Sequence, residues 1–170
     1  YYDINQTDKF DRLYGDLYIG KHPTPNHNKY LIIYLNFAVV NADLGNYRSA
    51  LDAHCRTEFT ILCDRYSSLL PSNLKENLMK EDGAVKQLDI LYKVANEVGL
   101  KIYLFIDEYD HFTNHILSDA ARLNEYKGET HGTGYLRTFF DTIKAGTDSS
   151  IERVFITGIS PVTLDDLTSG

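Results

Sequence analysis

The chain has no tryptophan, a single methionine and only two cysteines in its 170 residues. Two cysteines cannot build the multi-bridge framework that staples small secreted domains. Cys55 and Cys63 fall on one expected helix, which separates them by roughly 12 Å along its axis, too far to pair with each other. They read as buried free thiols in a reducing compartment. Long apolar runs are also missing: no stretch approaches the roughly 18 residues of a membrane helix, and the N-terminus has no basic region followed by an apolar one. A cytoplasmic protein that does not enter membranes is the expectation. Positive charge is scarce too, with 17 basic against 24 acidic side chains and a net charge of -7. The overall field therefore does not draw the chain to nucleic acid or anionic lipid, and any nucleic-acid contact needs a local basic patch. Three catalytic signatures are absent. Without a GxSxG elbow a serine hydrolase fails, and without GxGxxG after a strand a Rossmann site fails. Nor is there a GxxxxGK[ST] loop, since Lys21 in YIGKHPTP lacks both the preceding glycine spacing and a following Ser or Thr.

What is present suits one domain with a sizeable core, since hydrophobic residues make up 43% and charged residues 24% of the chain. Phe10, Leu13, Tyr14 and Leu17 recur at helical spacing in an opening stretch that lacks a helix cap, so the chain is expected to enter in mid-helix. Pro23 and Pro25 then mark a loop. KYLIIYLNFAVV is a continuous apolar run and reads as a strand buried on both faces. From Asn46 to about Leu70, Leu51, Cys55, Phe59, Leu62 and Tyr66 are three or four apart, the pattern of one long amphipathic helix that Pro71 stops. A short segment with Leu74 and Leu78 follows. Val85, Leu88, Leu91, Tyr92 and Ala95 form the next helix face, ended by Gly99. KIYLFID is a second strand, residues 134–144 a further helix, and ERVFITG a third strand. Alternating strands and helices predict an α/β fold, a parallel sheet with helices on both faces, whose ligand crevice lies beyond the carboxyl ends of the strands.

Those ends carry the chemistry. In KIYLFIDEYDHF the apolar run leads straight into Asp107 and Glu108. In a nucleotide hydrolase the first acid holds Mg²⁺, usually through its water shell, and the second orients and deprotonates the attacking water. Strands also end in polar turns where such acids are only solvated. The third strand ends in hydroxyls, with Thr157 and Ser160 in RVFITGISP, where a polar group can sense a γ-phosphate or the attacking water. A turn shaped by Gly158 and Pro161 is the simpler account of that stretch alone. Two neighbouring strands presenting polar groups together outweigh it.

LFIDEYD, GYLRTFFDTIKAG and IERVFITGISPVTLDDLTSG resemble the predicted AAA-ATPase-like proteins common in gut anaerobes, over essentially the whole chain. The resemblance implies a P-loop NTPase core of the ASCE or AAA type, with ATP and Mg²⁺ as cofactors. Asp107 and Glu108 match its Walker B pair, Asp107 as the Mg²⁺ partner and Glu108 as the base. Thr157 to Ser160 match the sensor-like strand end. In relatives the Walker A loop lies just upstream of the segment resembling Tyr1, so residues 1–170 are expected to be one partial domain that begins in or after the P-loop helix. A restriction-nuclease-like domain often follows in such proteins, and this is the sole ground for a nucleic-acid role. Self-association is a further expectation, and a non-hydrolysing regulatory or interaction module is the alternative function.

The remaining polar residues are read more plainly. His111 and His115 are four apart but lack the Glu of HExxH, so they read as solvent-facing and not as half of a zinc site. Arg137, Lys144 and Arg153 are the basic residues expected nearest the site. One of them would serve as an arginine finger if any does, but surface charge is the simpler reading. Tyr135, Phe139, Phe140 and Ile143 recur at helical spacing as core, not as base-stacking aromatics. Asp165, Asp166, Thr168 and Ser169 suit either a crevice wall or a capped short helix.

Overall fold

Three apolar segments pair as parallel strands: β1 (Tyr30–Asn36), β2 (Lys101–Asp107) and β3 (Ile151–Ile156), with β2 in the centre. A computed structural model describes residues 1–40, 47–111 and 134–159. Between β1 and β2 run α3 (Tyr47–Arg65), α4 (Leu74–Lys80) and α5 (Ala84–Glu97), and between β2 and β3 runs α6 (Tyr135–Thr147). Ahead of β1, a 3-10 helix (Ile4–Lys9) leads into the short α1 (Phe10–Tyr14) and α2 (Tyr18–Lys21). Parallel neighbours need crossovers long enough to return to the starting edge, and the intervening helices supply them.

Alternation along each strand gives the sheet two unlike faces. Leu31, Ile33 and Leu35 of β1 and Ile102, Leu104 and Ile106 of β2 are buried in one cluster. It also holds Leu51, Cys55 and Phe59 of α3, Leu88 and Leu91 of α5, and Phe139 and Ile143 of α6. The opposite face carries Ile32, Tyr34, Tyr103, Phe105 and Phe155, and Tyr34 and Phe155 are 48% and 51% exposed. The expected burial of the strands on both faces, beneath helices on both sides, is therefore not met among the described residues. Residues of α3, α5 and α6 join the strands in that single cluster. A run of apolar letters does not reveal this, because an aromatic ring counts as apolar whether it is enclosed or lies across an open face.

The aromatic face is covered mainly at its N-terminal end. The Tyr2 and Tyr103 ring centroids are 5.0 Å apart and those of Tyr103 and Phe105 4.2 Å, nearly stacked. The opening segment also guards the free edge of β1: Tyr30 N–H donates to the Tyr2 carbonyl at 3.0 Å. Ile32 N–H donates to the Tyr66 hydroxyl at 2.9 Å, and that hydroxyl donates to Asp3 Oδ1 at 3.0 Å. This segment differs from the single uncapped helix expected of it. Asp3 caps the 3-10 helix by accepting from Asn5 N–H at 2.9 Å, α1 ends at Tyr14, and Leu13 and Leu17 are exposed. Only Phe10 of α1 is buried, so helical spacing of apolar residues did not produce a packed face here.

The helix layer follows its sequence pattern more closely. Leu51, Cys55, Phe59, Leu62 and Tyr66 are all buried, and both cysteines are free, as expected. Burial pushes the Cys55 thiol strongly upward and the Cys63 thiol to about 11, so both are protonated, inert core groups. The N-terminus of α5 is capped from α3: Ala84 N–H donates to Asp52 Oδ1 at 2.7 Å, and the Tyr135 hydroxyl at the start of α6 donates to the same oxygen. Buried Gln87 donates to the carbonyls of Leu78 and Glu81 at 2.9 and 3.1 Å, anchoring the end of α4 to α5.

Candidate functional site

The in-register pairing of β1, β2 and β3 sets which polar groups meet at their carboxyl ends. Asn36 pairs with Asp107, Tyr34 with Phe105 and Ile106 with Ile156, so Asp107 projects on the aromatic face and Thr157 follows directly after β3. Both Asp107 carboxylate oxygens are engaged. Tyr34 donates to Oδ2 at 2.9 Å, and Thr157 Oγ1 donates to Oδ1. The Thr157 hydrogen bond, and after it that of Tyr34, holds the Asp107 carboxyl below the usual carboxylate range, while the Asp107 contact pushes the Tyr34 hydroxyl upward. Asp107 is thus an ionised group at neutral pH, fixed in orientation by its two neighbouring strands.

A small cleft of about 130 Å³ opens at this point, lined by Tyr34, Phe105, Ile106, Asp107, Phe155 and Thr157. A larger cleft of about 400 Å³ lies between α5 and α6, lined by residues such as Val85, Asp89, Tyr92 and Asp141. It touches no strand end.

The chain turns sharply after Asp107. Glu108 has φ of 51°, a left-handed conformation that costs a residue with a Cβ about 1–2 kcal/mol. Its half-exposed carboxylate lies 3.7 Å from His111 Nδ1. The same turn buries the next two residues, Tyr109 and Asp110. An expensive backbone at a polar strand end is a feature that selection retains when the side chain's direction matters.

Of the residues singled out from the sequence, the structure brings together Asp107, Glu108 and Thr157. Ser160, His115 and residues 165–170 lie outside the described residues. Arg153 pairs in register with Tyr103, four residues before Asp107, which sets it roughly 13 Å from the strand ends. Lys144 lies nine residues into α6, roughly 14 Å along the helix from its start. Neither basic group is near the site. Arg137, on the first turn of α6, pairs with Asp141 at 3.9 Å. Among the described residues no three His, Cys, Asp or Glu side chains gather closely enough to hold a metal. A lone oriented carboxylate with lone pairs to spare fits a cation held through water, as Mg²⁺ commonly is.

Tyr34 was not foreseen as part of the site. Its signal in the sequence was its position two residues before the end of β1, on the same face as Asp107 once the two strands are in register.

A family model described as Predicted AAA-ATPase matches residues 1–168. No curated protein and no solved structure matches the chain. No helix among the described residues is long and apolar enough to cross a membrane.

Proposed function

The chain belongs to the predicted AAA-ATPase family, and from that premise we propose that its strand ends form the hydrolytic centre of an ATP-hydrolysing P-loop NTPase. The observation that carries the reading is the Asp107 carboxylate, kept ionised and oriented by Thr157 and Tyr34 at the end of the central strand. On this reading Asp107 is the Walker B acid and would hold Mg²⁺, through its water shell. Bound there, Mg²⁺ would neutralise charge on the β- and γ-phosphates of ATP.

Glu108 follows directly and points outward from a strained turn, which suits a base that must reach a water lying beyond the strand end. It orients the attacking water and takes its proton as the oxygen joins the γ-phosphorus and the bond to the β–γ bridging oxygen breaks. Thr157 gives its hydroxyl proton to Asp107 and so fixes that carboxylate, which leaves Ser160, outside the described residues, as the other candidate for the polar sensor of the γ-phosphate. Residues 1–170 contain no GxxxxGK[ST], so on this reading the phosphate-gripping loop would have to be supplied by polypeptide other than these residues.

The test is ATP hydrolysis by the natural full-length protein, comparing wild type with Glu108→Gln at saturating Mg²⁺. Turnover is expected to fall at least about a hundredfold while nucleotide binding persists. If both proteins bind nucleotide and neither turns it over, the domain is a nucleotide-dependent switch or interaction module and the hydrolytic reading is wrong.

A further inference from the structure

The loops that follow β2 and β3 are fastened to each other by contacts that the hydrolytic roles leave unused. Thr157 N–H donates to the Ile106 carbonyl at 2.9 Å, continuing the sheet pairing, and Tyr109 N–H returns to the Thr157 carbonyl at 3.1 Å. One step further, Ile159 N–H donates to Asp110 Oδ2 at 2.9 Å. Asp110 is only 2% exposed and Tyr109 4%. Gly158 lies between the two anchored residues of the β3 loop. A Cβ on it would overlap the Tyr109 ring and come within 2.6 Å of Asp110 Oδ1. A glycine is therefore required here by close approach, because any side chain would push the two loops apart.

We propose that Asp110, seated against Gly158, is a positioning residue that latches the β2 and β3 loops together, holding Thr157 on Asp107 and Glu108 in its outward turn. The inference rests on the reading of Asp107, Glu108 and Thr157 as the hydrolytic set. Proximity to Asp107 and Glu108 would instead invite a direct role for Asp110 as a third cation ligand. Its burial and its hydrogen bond to a backbone amide oppose that role. A carboxylate removed from water needs donors to offset its lost hydration, and here the β3 loop supplies one. The latch also accounts for the turn at Glu108: its left-handed backbone is pinned on the far side by Tyr109 and Asp110.

Two readouts on the natural full-length protein test this in wild type, Asp110→Ala, Asp110→Asn and Gly158→Ala. Amide hydrogen exchange at Thr157 and Ile159 reads the latch itself, with the Leu104 amide in the middle of β2 as the control for global unfolding. Steady-state ATP hydrolysis reads its consequence. Asp110→Ala is expected to speed exchange at Ile159 at least tenfold with Leu104 unchanged, and to lower kcat at least tenfold with KM for ATP within threefold. Asp110→Asn keeps an acceptor oxygen and should recover most of both losses, whereas Gly158→Ala should resemble Asp110→Ala. Unchanged exchange in Asp110→Ala would overturn the latch. So would an Asp110→Asn that keeps wild-type exchange but hydrolyses as poorly as Asp110→Ala, because a cation ligand loses its charge in both. Loosened exchange that Asp110→Asn restores, in a protein whose wild type does not hydrolyse ATP, supports the latch and overturns the hydrolytic reading alone.

Discussion

The two faces of this sheet share three strands but do different work. One face presses Leu, Ile and Val against α3, α5 and α6 in a single enclosed cluster. The other carries a row of tyrosine and phenylalanine rings, partly open, that leads to the Asp107 carboxylate. The enclosed core therefore lies on the first face, and the proposed hydrolytic site at the end of the second. The alternation of side chains along each strand lets one segment such as KIYLFID serve both.

Truncation should separate the faces most sharply. Leu104→Ala, at a fully buried core position, is expected to cost about 2–5 kcal/mol by chemical denaturation. Phe155→Ala, half exposed on the aromatic face, should cost under about 1.5 kcal/mol, since most of its ring area is not removed from water. Equal losses would mean that the aromatic face is enclosed in solution. An intermediate effect is expected within the helix layer. Asp52→Ala leaves the Ala84 N–H and the Tyr135 hydroxyl without their shared acceptor, and should cost about 1–3 kcal/mol.

At the site the sign should reverse. Glu108→Gly relieves the left-handed strain at the expense of a freer unfolded chain, and a net gain of about 0.5 kcal/mol is expected. Hydrolysis should be lost in the same variant. Destabilisation instead would show that the Glu108 side chain supports the fold.

The smallest effect concerns pH. Burial lowers the His54 pKa on α3, so the folded protein resists a proton that the unfolded chain accepts. Stability from this group is fully present above the unfolded histidine value of about 6.5 and is lost as pH falls below it. His54→Leu should therefore show a flatter decline in Tm between neutral pH and pH 5 than wild type. An identical slope would assign the acid sensitivity to other groups.

Much of this was legible in the sequence. The strands at Tyr30, Lys101 and Ile151, the α3 face through Leu51, Cys55 and Phe59, and the acids ending KIYLFIDE follow directly from period and run length. Two things were hidden. A continuous apolar run cannot distinguish a strand enclosed on both faces from one with a helix-packed face and an aromatic one, because Tyr34, Phe105 and Phe155 count as apolar in either case. Long-range pairing was also invisible. Tyr34 joins the site only through the register of β1 on β2, and Asp110 meets Ile159 across 49 residues of chain. The opening helix failed for a local reason: Asp3 caps a 3-10 turn, and α1 ends at Tyr14, so Leu13 and Leu17 do not share one helix face.

The central claim is that the end of the aromatic face is a Mg²⁺-dependent hydrolytic centre organised on Asp107. Its most direct test is a Mg²⁺ titration of ATP hydrolysis by the natural full-length protein, wild type against Asp107→Asn. The account predicts that the variant requires at least about tenfold more Mg²⁺ for half-maximal rate, or loses turnover altogether, because the ionised carboxylate that holds the cation is gone. Hydrolysis with an unchanged Mg²⁺ requirement in Asp107→Asn would contradict it.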